Sequence, residues 1–141
     1  MNRRDIIKKS IGGFSVAALA GASSFFESTA YAATSSDKIG ETTSKCIAVG
    51  LKCLAHCQKS LAQGSNAMAE CAASVSDMLA ACEALQHLAA SNSPHLKAMA
   101  KVCGDICKSC MTKCEPHSKT MDICKACMNA CKECADACAQ A

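Results

Sequence analysis

The chain contains no tryptophan, and its three phenylalanines and one tyrosine, Phe14, Phe25, Phe26 and Tyr31, all precede residue 32. From Ala33 onward there is no aromatic side chain, and Leu, Ile and Val together number only 14 over the remaining 109 residues. A conventional core cannot be built from so few large apolar groups, and such a share usually accompanies disorder. Charge of either sign is also scarce. Arg3, Arg4, Lys8 and Lys9 against Asp5 and Glu27 lie in the first 32 residues, so leaving these out lowers the net charge from +3 to +1. That balance gives no footing for nucleic acid or an anionic membrane. No nucleophile–base pair, carboxylate dyad or phosphate loop is recognisable, so no catalytic residue is assigned and an enzyme is not expected.

The N-terminus reads as an export leader. "NRRDIIK", from Asn2 to Lys8, is close to the twin-arginine pattern, the weakly hydrophobic run Ile11 to Phe26 follows, and "AYA" at Ala30 to Ala32 offers a small-residue cleavage site. The sixteen-residue uncharged run, closed by Glu27, falls short of the roughly 20 residues of a spanning helix. Residues 1–32 are therefore expected to be a cleaved signal peptide, with no stable membrane anchor, and 33–141 a single exported, periplasmic domain.

What is abundant is cysteine. All 14 lie after residue 32, in four segments rich in the helix formers Ala, Lys, Glu, Met and Leu. The first segment runs from about Asp37 to Gln63, with Gly64 as a C-terminal cap. The second starts at Ser65 or Asn66 and runs to about Ala90. The third starts at Ser93 and Pro94 and runs to Cys114. The fourth, started by Pro116, runs to about Ala139. Helices of about 22 to 27 residues, each roughly 33 to 40 Å long, joined by links of two to four residues, must fold back on one another. The predicted fold is all-α, an antiparallel up-down-up-down four-helix bundle.

The cysteines fall on one face of each helix. Cys103, Cys107, Cys110 and Cys114 step by 4, 3 and 4, and Cys124, Cys127, Cys131, Cys134 and Cys138 step by 3, 4, 3 and 4, the spacing of a coiled-coil seam. Cys46, Cys53 and Cys57 share a face on the first helix, and Cys71 and Cys82, three turns apart, on the second. All four stripes can face one axis, which makes the core cysteine-lined. Gly50 and Gly104, inside helices, are read as points of close helix approach.

Several chemistries suit such a lining. Free cysteine packs as a small hydrophobe, but fourteen of them displacing leucine go beyond packing. Interhelical disulfides would give a structural bundle, although side chains three or four apart on one helix project in parallel and cannot pair without strain. Zinc favours isolated four-ligand sites. An iron–sulfur electron carrier is the remaining alternative, since "CGDICKSCMTKCEP" resembles a ferredoxin run, yet its steps are those of a helix rather than a cluster-wrapping loop. Cu(I) fits most features. It is soft, takes thiolate and thioether sulfur, and accepts two sulfurs per ion, so shared thiolates give roughly one copper per cysteine. Each Cu(I) then cancels one thiolate charge, and the buried core stays close to neutral.

Methionine and histidine add a second donor set. With the fourth helix starting at Pro116, His117, Met121 and Cys124 stand at i, i+4 and i+7, and Met68 reaches the same end, where Cys57, Cys71, Cys114 and Cys124 form the nearest thiol ring. A thioether and imidazole mouth for copper is expected there; the alternative is that methionine fills gaps and His117 is a solvated helix-start residue. The opposite end offers His95, Met99 and Cys103. His56 and His87 are read as surface residues.

The leader together with the CxxxC pairs Cys53/Cys57, Cys103/Cys107, Cys110/Cys114, Cys127/Cys131 and Cys134/Cys138 resembles the bacterial copper storage proteins over the whole length after the leader. That resemblance implies storage of multiple Cu(I) ions by thiolates lining a four-helix bundle. It further implies a homo-oligomer, a tetramer, and supply of copper to exported or membrane copper enzymes, methane monooxygenase being one such client.

Overall fold

The computed structural model describes residues 34–141, so the leader expected over residues 1–32 lies outside the described residues. Four helices make up the fold: α1, Ser35–Ala62; α2, Ala69–Ala90; α3, Leu96–Ser118; and α4, Asp122–Cys138. A single 3-10 turn, Asn66–Met68, leads into α2. Helix α1 starts two residues before the expected Asp37 because Thr34 and Asp37 form a reciprocal cap. The Asp37 N–H donates to Thr34 Oγ1 at 3.2 Å and the Thr34 N–H donates to Asp37 Oδ2 at 3.0 Å. The bond from the Thr34 N–H above all, with a second donated by Thr34 Oγ1 at 2.8 Å, holds the Asp37 carboxyl below its ordinary range.

Several helix ends depart from the expected boundaries. Ser65 precedes the 3-10 turn but makes no side-chain cap, and neither Ser65 nor Asn66 caps α2, whose first residue follows Met68. Helix α3 begins at Leu96, after His95, while Ser93 Oγ accepts the His95 N–H at 3.2 Å. It then runs through Pro116 to Ser118. A proline this close to a helix end forgoes one backbone bond, to the Thr112 carbonyl, while the turn beyond it still closes: the Met121 N–H reaches the His117 carbonyl at 2.9 Å. Helix α4 is therefore 17 residues long, about 26 Å, and shorter than expected.

Cross-helix pairs give the topology. From Ser44–Gln86 to Gly50–Leu79, advancing along α1 means receding along α2. Cys82–Cys103 and Cys71–Cys114 do the same for α2 and α3, and Cys110–Cys131 and Gly104–Cys138 for α3 and α4. Helices α1 and α4 run oppositely too, through Cys46–Cys131 and Cys53–Cys124. Each helix lies beside its two sequence or ring neighbours, and the diagonal pairs meet across the axis through side chains, as Cys82 of α2 does with Cys134 of α4 at 3.9 Å. This is the antiparallel up-down-up-down bundle.

The two ends of the core differ. Where α1 and α3 begin and α2 ends, the filling is Ile39, Leu85, Ala89 and Ala100, all buried. Beside them Thr43, also buried, returns its hydroxyl to the Ile39 carbonyl at 2.7 Å. Along the rest of the axis, Val75, Met78 and Leu79 of α2 are the large apolar residues among the cysteines.

Helices α1 and α2 both end in a left-handed residue bridged by two backbone bonds. Gly64, with φ +81°, donates to Leu61 at 2.9 Å while Ser65 donates to Ser60 at 3.2 Å. Asn92, with φ 48°, donates to Ala89 at 3.1 Å while Ser93 donates to Leu88 at 3.0 Å. The same substitution at two glycines should therefore have opposite signs. Gly64→Ala places a Cβ in the left-handed region and lowers stability by about 1 kcal/mol. Gly40→Ala, within α1 and with nothing inside 4 Å of the new Cβ, raises it by about 0.5–1 kcal/mol. Thermal unfolding of the two reduced variants beside wild type checks both directions.

Candidate metal centre

The helical steps of the sequence carry all fourteen thiols to the bundle axis. Thirteen cysteines have no solvent exposure and Cys138 has 7%. All fourteen are free thiols. Their sulfurs gather into five groups, each with members within 4.8 Å of one another: Cys53/Cys71/Cys124, Cys53/Cys114/Cys127, Cys110/Cys127/Cys131, Cys46/Cys82/Cys107/Cys134 and Cys103/Cys134/Cys138. Cys53, Cys127 and Cys134 each belong to two groups, and the Cys46–Cys131 contact at 3.8 Å links the third group to the fourth. The thiols thus form one continuous ladder along the axis. Cys57 is the one cysteine outside these groups.

Individual contacts include Cys71–Cys114 at 3.3 Å, Cys82–Cys103 at 3.8 Å, Cys82–Cys134 at 3.9 Å and Cys110–Cys114 at 4.0 Å. The group of four, Cys46, Cys82, Cys107 and Cys134, has the ligand number of a structural zinc site. Its member Cys134 is shared with a neighbouring group, however, so the four do not form an isolated site. Ligand sharing is the geometry of bridging thiolates.

The sequence reading missed two residues. Met78 is fully buried and lies against the ladder: its Sδ accepts from Cys46 Sγ at 3.3 Å and from Cys82 Sγ at 3.7 Å. The signal was present, since Cys71, Val75, Met78 and Cys82 step by 4, 3 and 4 along α2. His56 was read as a surface residue, but its ring is half-buried, with Nε2 shielded from solvent and without a hydrogen-bond partner. His87, by contrast, is exposed as expected.

The methionine and histidine set is placed differently from the sequence expectation. His117 sits in the last turn of α3, and Met121 precedes the first residue of α4. The expected i, i+4, i+7 stripe with Cys124 on one helix does not exist, because α3 continues through Pro116. The turn between the helices nevertheless keeps the three residues at one end, and Met68 closes the 3-10 turn at that same end. Met68 is 1% exposed, while His117 and Met121 are half-buried. At the other end, His95 is exposed and Met99 half-buried beside the aliphatic filling.

Protons are unequally shared along the ladder. Burial, reinforced by charge on Cys53, pushes Cys57 up to about 11, and burial with the same neighbour pushes Cys124 up to about 12. Contacts with Cys103, Cys107 and Cys134 push Cys82 up, whereas contacts with Cys103, Cys107 and Cys138 hold Cys134 down. For Cys53, the Cys114 thiol acts upward, but Cys127 and Cys71 outweigh it and bring the group to about 7.

These directions fix a pH window. A thiol with ordinary value 9.0 that is lowered in the fold contributes stability that is complete once the pH passes 9.0. A raised thiol contributes stability that is intact below 9.0 and is lost as the pH climbs through its folded value. The reduced, metal-free bundle should therefore be helical by circular dichroism at neutral pH, and its unfolding temperature should fall between pH 9 and about 12. A temperature that holds steady or rises across that window would contradict the assignment of buried, protonated thiols at Cys57 and Cys124.

Comparison with known proteins agrees with this geometry. No curated protein matches the sequence. The solved structure of a Cu(I)-bound copper storage protein, BsCsp3, superposes with a TM-score of 0.69 at 26% identity, over 76% of this chain and 97% of that one. Residues 32–141 match the family model for copper storage proteins. The chain belongs to the copper storage protein family.

Proposed function

We propose that this protein stores multiple Cu(I) ions along its thiol ladder, as a binding reservoir without turnover. The observation that carries the reading is the set of buried free thiols whose neighbouring groups share members. Bridging sulfur lets every thiolate serve two ions, so capacity approaches roughly one copper per cysteine. In the metal-free core the raised thiols, Cys57, Cys82 and Cys124 among them, keep their protons and still pack. In the loaded core each Cu(I) replaces one proton and leaves the burial of charge nearly balanced. All fourteen cysteines, from Cys46 to Cys138, are assigned as ligands.

The end that carries Met68, His117 and Met121 is assigned as the copper mouth. Thioether sulfur needs no proton loss and holds Cu(I) less tightly than thiolate, so it can pass ions to Cys57, Cys71, Cys114 and Cys124 without trapping them. The aliphatic filling of the opposite end supports this choice, because Ile39, Leu85, Ala89 and Ala100 offer no donor side chain. The α1–α4 register that pairs Cys53 with Cys124 brings the shielded His56 to the level of Met121.

The twin-arginine leader supports a periplasmic location, reached by export of the folded bundle, which keeps the thiols covered in an oxidising compartment. Assembly into a homotetramer and delivery to exported or membrane copper enzymes, with methane monooxygenase as one candidate client, follow from the family resemblance.

Anaerobic titration of the reduced protein with Cu(I) against a chelator should saturate near one ion per cysteine. Weakly buffered solution should acidify by about one proton per copper bound. Saturation at one or two equivalents would reject storage, and an iron–sulfur chromophore in the purified protein would favour electron transfer instead. Replacing Met68, His117 and Met121 together by alanine should slow copper uptake and removal with little change in capacity. Slowing by His95→Ala and Met99→Ala instead would move the mouth to the other end.

A further inference from the structure

The second helix contributes fewest thiols to the ladder. Cys71 and Cys82 are three turns apart, and Val75 and Met78 occupy the axis-facing positions between them. Leucine and methionine are close in volume and interchange in cores at low cost, so filling space alone does not call for a thioether at position 78. Its sulfur is also aimed: Sδ lies 3.3 Å from Cys46 Sγ and 3.7 Å from Cys82 Sγ. Cys46 and Cys82 belong to the group of four that lies within 4.8 Å.

The pose of Met78 is secured from α1. A Cβ on Gly50 would stand 2.6 Å from Met78 Cε and 2.9 Å from Leu79 Cδ2, so glycine at this position leaves the terminal methyl room in this pose. With the methyl in that notch, the thioether lone pairs face the two thiols. Gly50 therefore brings α1 and α2 together at the point where the methionine reaches the ladder.

We propose that Met78 is a copper ligand, its thioether joining the thiolates of Cys46 and Cys82 in a three-sulfur Cu(I) site midway along the bundle. This rests on the storage reading given above. On binding, the two thiol protons that now point at Sδ leave to solvent and the sulfur lone pairs turn to the ion; each thiolate is shared with a neighbouring copper, so the ladder as a whole exchanges one proton per ion, and no electron changes hands. The thioether gives α2 a third donor without adding a buried negative charge. Copper can thereby be held against the second helix between Cys71 and Cys82.

The test uses the full reduced protein with methyl-¹³C methionine and Cu(I) alone, in chelator competition and by NMR. Met78→Leu should weaken the binding of about one copper equivalent at least tenfold, the scale on which even outer-shell partners act, with the remaining equivalents unchanged. In wild type, the Met78 methyl, assigned through its contact with Gly50, should shift on copper addition far more than those of the half-buried Met111 and Met128. Superimposable competition curves, or a Met78 methyl that moves no more than those two, would overturn the proposal. The methyl readout decides even where Met78→Leu folds poorly. A wild type that saturates at one or two equivalents while the Met78 methyl still moves would overturn storage and retain the thioether site.

Discussion

A thiol is inexpensive to bury and a thiolate is not. Neutral cysteine packs as a small apolar group, whereas an ionised sulfur removed from water needs a compensating charge at close range. Every cysteine here is buried, so each sulfur needs its own proton, a hydrogen bond from a neighbouring thiol or a share in a cation. The two states exchange one positive charge for another inside a shape that does not have to change. That constraint explains why the lining can be almost entirely cysteine, and why few acidic or basic side chains approach the axis.

The constraint also governs how the bundle is held together. With little leucine to bury, the fold relies on helix formers, on well-closed helix ends and on ion pairs across helices, such as Lys45–Glu133 at 2.6 Å and Lys113–Glu70 at 2.7 Å. These pairs are exposed and contribute little each, but they fix which exposed faces meet. The aliphatic filling is concentrated at one end, where Ile39 lies with Leu85, Ala89 and Ala100. The long α1 is capped at its start by Thr34 and at its end by Gly64.

Much of this was legible in the sequence because cysteine marks the buried face as plainly as leucine does elsewhere. The 3 and 4 steps of Cys103 to Cys114 and of Cys124 to Cys138 placed both stripes directly, and Gly64 marked its helix end. What was less legible depended on context. Pro116 signals a break, but within a turn of a helix end it removes one bond, and α3 runs past it to Ser118. That moved His117 from one helix to another. Met78 is close in size to leucine, so its role lies in the direction of its sulfur and in the space left by Gly50, neither of which a spacing pattern encodes. His56 lies beside the seam, and only the packed structure reveals that its Nε2 is shut off from water.

Because Cys53, Cys127 and Cys134 each serve two groups, the binding positions resemble links of a lattice more than separate cups. Ions on such a lattice constrain their neighbours, and a half-filled bundle has many arrangements of nearly equal energy, while the empty and full bundles have one each. Configurational entropy then favours intermediate occupancy. The free-ion level in balance with the protein rises by degrees as the lattice fills, so the ladder acts as a graded buffer, and an ion can migrate along it by exchanging one shared sulfur at a time.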